Sequence, residues 1–111
     1  MIDWNRVAEL RDEVGAEDLD EVVEIFLEEV EEVIARLKAT PDIARYEEDL
    51  HFLKGSALNL GFVAFSDLCQ DGEKAAANGQ AEEIEMADVF RVYAASKTEF
   101  LAKRGNMGQA A

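Results

Sequence analysis

The single histidine of this chain, His51, stands in the run His51-Phe52-Leu53-Lys54-Gly55-Ser56-Ala57, where residue types and spacing suggest chemistry. A neutral imidazole nitrogen is a competent nucleophile near neutral pH without a strong base beside it. Lys54, one helical turn on, adds a mobile positive point charge. It is the only basic residue between Arg45 and Lys74, in a chain with 11 Lys and Arg against 25 Asp and Glu. Gly55 interrupts a helical pattern at a cost of roughly 1 kcal/mol relative to alanine. A backbone bare of side chain beside the histidine admits a partner's reactive group. Phosphoryl transfer needs positioning and charge neutralisation more than covalent machinery. The three residues together read as a phosphoryl-acceptor site.

That reading requires a helix that turns them outward. Ile43, Tyr46, Leu50, Leu53, Ala57 and Leu60 recur at spacings of 3, 4, 3, 4 and 3, the seam of a helical bundle. At 100° per residue, His51 points about 130° from that seam and Gly55 about 170°. Leu58 falls near the His51 meridian, off the seam, as a candidate for partner docking. Asn59 is a second candidate, able to hydrogen-bond a partner loop or to serve as a cap. Phe52 diverges about 130° on the other side. It reads either as packing beneath the first helix or as part of a docking patch.

The rest of the chain predicts the scaffold. Gly15, Pro41, Gly61, Gly79 and Gly105 divide it into five helical segments, about 3–14, 18–39, 41–60, 62–78 and 82–104. Asp3 and Gly15 suit the ends of the first. The second carries an apolar stripe from Leu19 to Leu37, with nine acidic residues between Glu17 and Glu32 on the face turned to solvent. Thr40-Pro41-Asp42 reads as N-cap, first helical position and helix-dipole acid for the third. The fourth uses Phe62, Phe65, Leu68, Cys69, Ala75 and Ala76; the fifth uses Met86, Phe90, Tyr93, Phe100 and Leu101. Alternating apolar and polar runs are missing, so strands are not expected. The expected fold is all-α, an antiparallel four-helix bundle with a short additional N-terminal helix over 1–104 and a flexible tail over 105–111.

Composition narrows the partners. With 111 residues the chain can bury one core and has no room for a separate nucleotide-binding kinase domain. A formal net charge of −14 disfavours nucleic acid and anionic membranes and favours protein partners. No run approaches the roughly 20 apolar residues of a membrane span, and the N-terminal residues lack a basic leader. One cysteine, Cys69, excludes an internal disulfide and a thiolate zinc cage. A cytoplasmic monomer is expected.

The run from His51 to Ala57, followed by Leu60-Gly61 and Leu68-Cys69, resembles the signature of histidine-containing phosphotransfer domains. The resemblance covers nearly the whole chain, because those domains are helical bundles of this size with the histidine midway along a central helix. It implies that His51 is phosphorylated, that Lys54 steadies the phosphoryl group and that Gly55 gives the partner access. It also implies receiver domains of response regulators and a hybrid or sensor histidine kinase as partners. Any magnesium sits on the receiver, and this chain carries no cofactor and no kinase activity of its own. Two positions depart from the pattern. Phe52 replaces a smaller, often hydroxylated residue, and Gly72 stands where leucine is more usual.

Other chemistries fit less well. Glu48 and His51 match the Glu-x-x-His spacing of di-iron bundles, but a second such motif is missing and Glu48 points outward. No metal site is therefore expected. Ser56 lies five residues beyond His51 on another face and makes no hydrolytic pair with it. The remaining alternative is an acidic helical adaptor that binds a regulator or kinase without phosphorylation and is indifferent to replacement of His51.

Overall fold

In the computed structural model, residues 2–110 are described, with side chains described through Lys103. Asp3 opens the first helix, α1 (Trp4–Val14), its carboxylate accepting the N–H groups of Asn5 and Arg6 at 3.1 and 3.2 Å. Gly15 closes it at a positive φ of 91°. Four longer helices follow: α2 (Leu19–Ala39), α3 (Tyr46–Leu60), α4 (Val63–Ala77) and α5 (Met86–Ala110). Short 3₁₀ turns at Ile43–Arg45 and Ala81–Glu83 precede α3 and α5. The described residues contain no strand, only an isolated bridge between Ile2 and Phe62.

Cross-helix pairs give the directions. Leu60 and Val63 are separated by two residues, which turns α4 back along α3. Phe62 meets Phe100 and Phe65 meets Tyr93, so α5 runs against α4. Lys38 lies over the Phe90 ring while Glu31 bonds Tyr93 and Lys97, so α2 and α5 are also antiparallel. The core between them holds Val23, Val30, Leu50, Leu53, Leu60, Phe65, Val89 and Phe100, all nearly or fully buried. The short α1 lies against the ends of α3 and α5, with Trp4 stacked on Phe100 at 5.5 Å.

Gly61 makes that attachment possible. Its φ of 75° lets α3 end in a left-handed turn, with the Phe62 N–H donating to the Ala57 carbonyl at 2.9 Å. Its own carbonyl accepts the Asp3 N–H at 2.7 Å, and a Cβ there would meet the Asp3 carbonyl oxygen at 2.5 Å. Backbone conformation and close approach both require glycine.

Several expectations need correction. Thr40-Pro41-Asp42 does not open α3. Thr40 caps the end of α2, and Asp42 caps the 3₁₀ turn by accepting the Ala44 N–H at 3.1 Å. The helix proper starts at Tyr46, so Ile43 leaves the seam and is 47% exposed. Phe52 is 40% exposed and does not pack in the core. Leu101 is exposed as well, turned away from the face that carries Phe100. Helical backbone continues to Ala110 instead of giving way to a tail at Gly105. The side chains of that segment, and residue 111, lie outside the described residues.

Gly72 accounts for how closely α3 and α4 approach. It is buried, and a Cβ at this position would stand 2.8 Å from Cδ1 of the fully buried Leu50 and 3.6 Å from Cγ2 of Ile84. Gly72→Leu gains helix propensity but must displace Leu50, and overpacking of this kind costs typically 1–3 kcal/mol. The variant is expected to melt below the parent protein. An unchanged or higher melting temperature would show that the two helices part without penalty.

Candidate functional site

Leu50 and Leu53 are fully buried, which fixes the rotation of α3 and turns the intervening positions outward. His51 follows with its side chain 72% exposed. Lys54, one turn on, is more shielded at 22%. Gly55 faces open space, since a Cβ there would meet nothing within 4 Å. The three residues singled out in the sequence thus share one accessible face of α3.

The structure adds a fourth group that the sequence did not reveal. Glu73, on α4 immediately after Gly72, reaches across to α3. One of its carboxylate oxygens lies 2.9 Å from His51 Nδ1 and the other 3.2 Å. Lys54 Nζ donates to the same two oxygens at 3.2 and 3.1 Å. One carboxylate therefore serves both the imidazole and the ammonium. The hydrogen bond with His51, followed by that from Lys54, holds the Glu73 carboxyl below the usual carboxylate range against the opposing effect of desolvation. It stays ionised at neutral pH.

An ionised carboxylate can only accept hydrogen bonds. The contact with His51 therefore places a proton on Nδ1 and leaves the lone pair on Nε2, the nitrogen farther along the ring from Glu73. A ring held in that tautomer is oriented as a nucleophile without a base having to remove a proton from the attacking atom. Cys69, one turn before Glu73, is fully buried, and burial pushes its thiol up to about 12. It stays a neutral wall of the site.

The candidate docking residues divide. Leu58 is 57% exposed on the rim of a depression of about 80 Å³ that also touches Asp3, Val63, Ser66 and Asp67. Phe52 and Val63 are exposed too, the latter not anticipated from the sequence. Asn59 is already engaged. Its Oδ1 accepts from Arg6 Nη2 at 3.0 Å and its Nδ2 donates to the Gly55 carbonyl at 3.2 Å. Arg6 also pairs with Glu9 and Glu13 at 3.2 and 3.1 Å, so α1 is tied to α3 one turn from the glycine. Glu48 pairs with Arg45 at 3.7 Å and is turned to solvent. Among the described residues no helix is long and apolar enough to cross a membrane.

The geometry predicts a tautomer. With the His51 ring uncharged, nitrogen-15 NMR is expected to show its proton on Nδ1. Glu73→Ala should move the ring toward the mixture of an unpartnered imidazole. A dominant Nε2–H form in the parent protein would contradict the contact.

Compared with known families, residues 21–98 match the family model described as Hpt domain. The match runs from α2 into α5 and contains His51, Lys54, Gly55 and Glu73. No curated protein and no solved structure matched the chain.

Proposed function

The chain belongs to the Hpt domain family, and from that premise we propose that His51 Nε2 accepts a phosphoryl group from the aspartyl phosphate of a receiver domain and passes it to another. A phosphotransfer role in two-component signalling follows from the family; the acceptor atom and the roles of its neighbours are read from the site. The observation that carries the reading is the Glu73 carboxylate at 2.9 Å from Nδ1, which leaves Nε2 of an exposed ring free to react.

Nε2 attacks phosphorus in line while the bond from phosphorus to the aspartyl oxygen breaks, and that oxygen leaves as carboxylate. The proton on Nδ1 stays in place, held by Glu73. The imidazolium charge that develops is met by the same carboxylate at hydrogen-bond distance. Reversal returns the phosphoryl group to an aspartate without a proton transfer at the attacking nitrogen. Any magnesium would be held by the receiver and not by this chain, and would neutralise charge on the phosphoryl oxygens.

Gly55 leaves the approach open, and Leu58, Phe52 and Val63 supply apolar area around it. Asn59 supports this surface through Arg6 and Gly55 instead of reaching for the partner. The proposed module works in the cytoplasm as a monomer, with a hybrid or sensor histidine kinase upstream. It has no kinase activity of its own.

A panel of phosphorylated receiver domains is expected to label the protein with an acid-labile, alkali-stable phosphate that His51→Gln abolishes. Persistent labelling of His51→Gln would sink the assignment. ATP alone, without a kinase, should leave the protein unlabelled.

Gly55 separates access from stability. Gly55→Ala is expected to stabilise the helix by up to roughly 1 kcal/mol, because the position is open and only helix propensity changes. Gly55→Gln should fold equally well, yet its side chain projects one turn from His51 into the partner's approach. Melting curves paired with receiver-to-histidine transfer rates check this: stability held and transfer reduced at least tenfold, about 1.4 kcal/mol in the barrier. Transfer at the parent rate would place the docking face elsewhere.

A further inference from the structure

We infer that Glu73 makes phosphorylated His51 a short-lived donor instead of a store. This rests on His51 being the acceptor and concerns how long the site holds the group. The carrying observation is that Lys54 is not a free cation. Both of its hydrogen bonds go to the carboxylate that also holds His51.

A phosphoryl group brings a charge of about −1.5 to −2 at neutral pH. On Nε2 it would be held by Lys54 alone, since among the described residues no other Lys or Arg pairs with Glu73 or His51. Lys54 and Glu73 together are neutral. The phosphoryl group therefore faces a cancelled pair on a domain of formal charge −14. During transfer the receiver supplies cations. After it departs, this chain offers no net positive charge in their place.

The leaving group acts in the same direction. When the Nε2–P bond breaks, its electron pair returns to Nε2. A ring that keeps a proton on Nδ1 then departs as neutral imidazole, whereas a ring without that proton would have to depart as imidazolate. The Glu73 carboxylate at 2.9 Å holds the proton on Nδ1, and so favours departure as neutral imidazole. The titratable groups that interact with Glu73 are His51 and Lys54 from α3 and the Cys69 thiol on α4. A purely structural Glu73, one that merely steadies Lys54 beside the phosphate, predicts the opposite sign on its removal.

The test needs no partner. Phosphoramidate supplies the group: Nε2 bonds to phosphorus, the donor's P–N bond breaks and ammonia leaves. Phosphorus-31 NMR then follows decay as water attacks phosphorus, inorganic phosphate departs and His51 is regenerated. E73Q keeps an oxygen acceptor at the same place and removes the charge. It is expected to lengthen the phosphohistidine lifetime about two- to fivefold, the size of effect one partly exposed charge produces. K54Q should shorten the lifetime more in the E73Q background than alone, since only there is the lysine charge uncompensated. A lifetime in E73Q equal to or shorter than the parent's, in a variant with the parent's melting temperature, overturns the inference. Failure of every receiver to label His51 instead overturns the relay reading, and leaves the lifetimes measured from phosphoramidate standing as a separate result.

Discussion

The site depends on one close packing contact, Gly72 of α4 against Leu50 of α3. Leu50 is fully buried and Gly72 has no side chain to hold it off, so the two helices meet with less than a methyl group to spare. Each residue has a reactive neighbour one position on. Leu50 precedes His51, and Gly72 precedes Glu73. Core packing and site geometry are thus consecutive residues on the same two helices. A substitution that separates the helices to relieve crowding in the core also takes the carboxylate from the imidazole, so stability and reactivity share one constraint.

The termini of the helices secure the same arrangement at a distance. Gly61 ends α3 and accepts the Asp3 N–H just before α1, while Arg6 reaches from α1 to Asn59 and, through it, to the carbonyl of Gly55. The open backbone beside the histidine is therefore braced on its far side. On the opposite flank, Asp49 is buried and takes a 2.6 Å hydrogen bond from Arg36 of α2. A lone buried carboxylate is costly, and this one fixes α2 against α3 at the turn that carries His51.

Much of this was legible in the sequence, for a definite reason. The apolar spacing from Tyr46 to Leu60 sets the rotation of α3, and rotation alone decides that His51 and Gly55 face outward. Local signals were less reliable. Thr40-Pro41-Asp42 contains residue types that serve equally at a helix end, in a loop and at a cap, and here Thr40 ends α2 while Asp42 caps the short turn. Asn59 looked available because its partner Arg6 is 53 residues away. Glu73 was hidden in the same way. It is one acid among 25, and only the register between α3 and α4 distinguishes it. The one available hint was Gly72, a bare position on a helix whose neighbours at Phe65 and Cys69 are core, which marks the place where another helix comes closest.

That register also changes the meaning of the lysine. On a helical wheel Lys54 is a free cation beside a nucleophile, and its role looks complete. In the fold its charge is already met by Glu73, at distances of 3.1 and 3.2 Å, before any phosphate arrives. The arrangement suits a group that must be handed on. In the proposed transfer, transition-state charge would be met jointly by this pair and by whatever cations the receiver brings, and the bound product would have only the pair. A carrier that held its phosphoryl group with an uncompensated lysine would stabilise the resting phosphohistidine as much as the transfer itself, and uniform stabilisation of that kind slows release without speeding chemistry. A carboxylate between lysine and imidazole keeps the orienting hydrogen bonds and, on the proposed reading, would withhold net charge from the product.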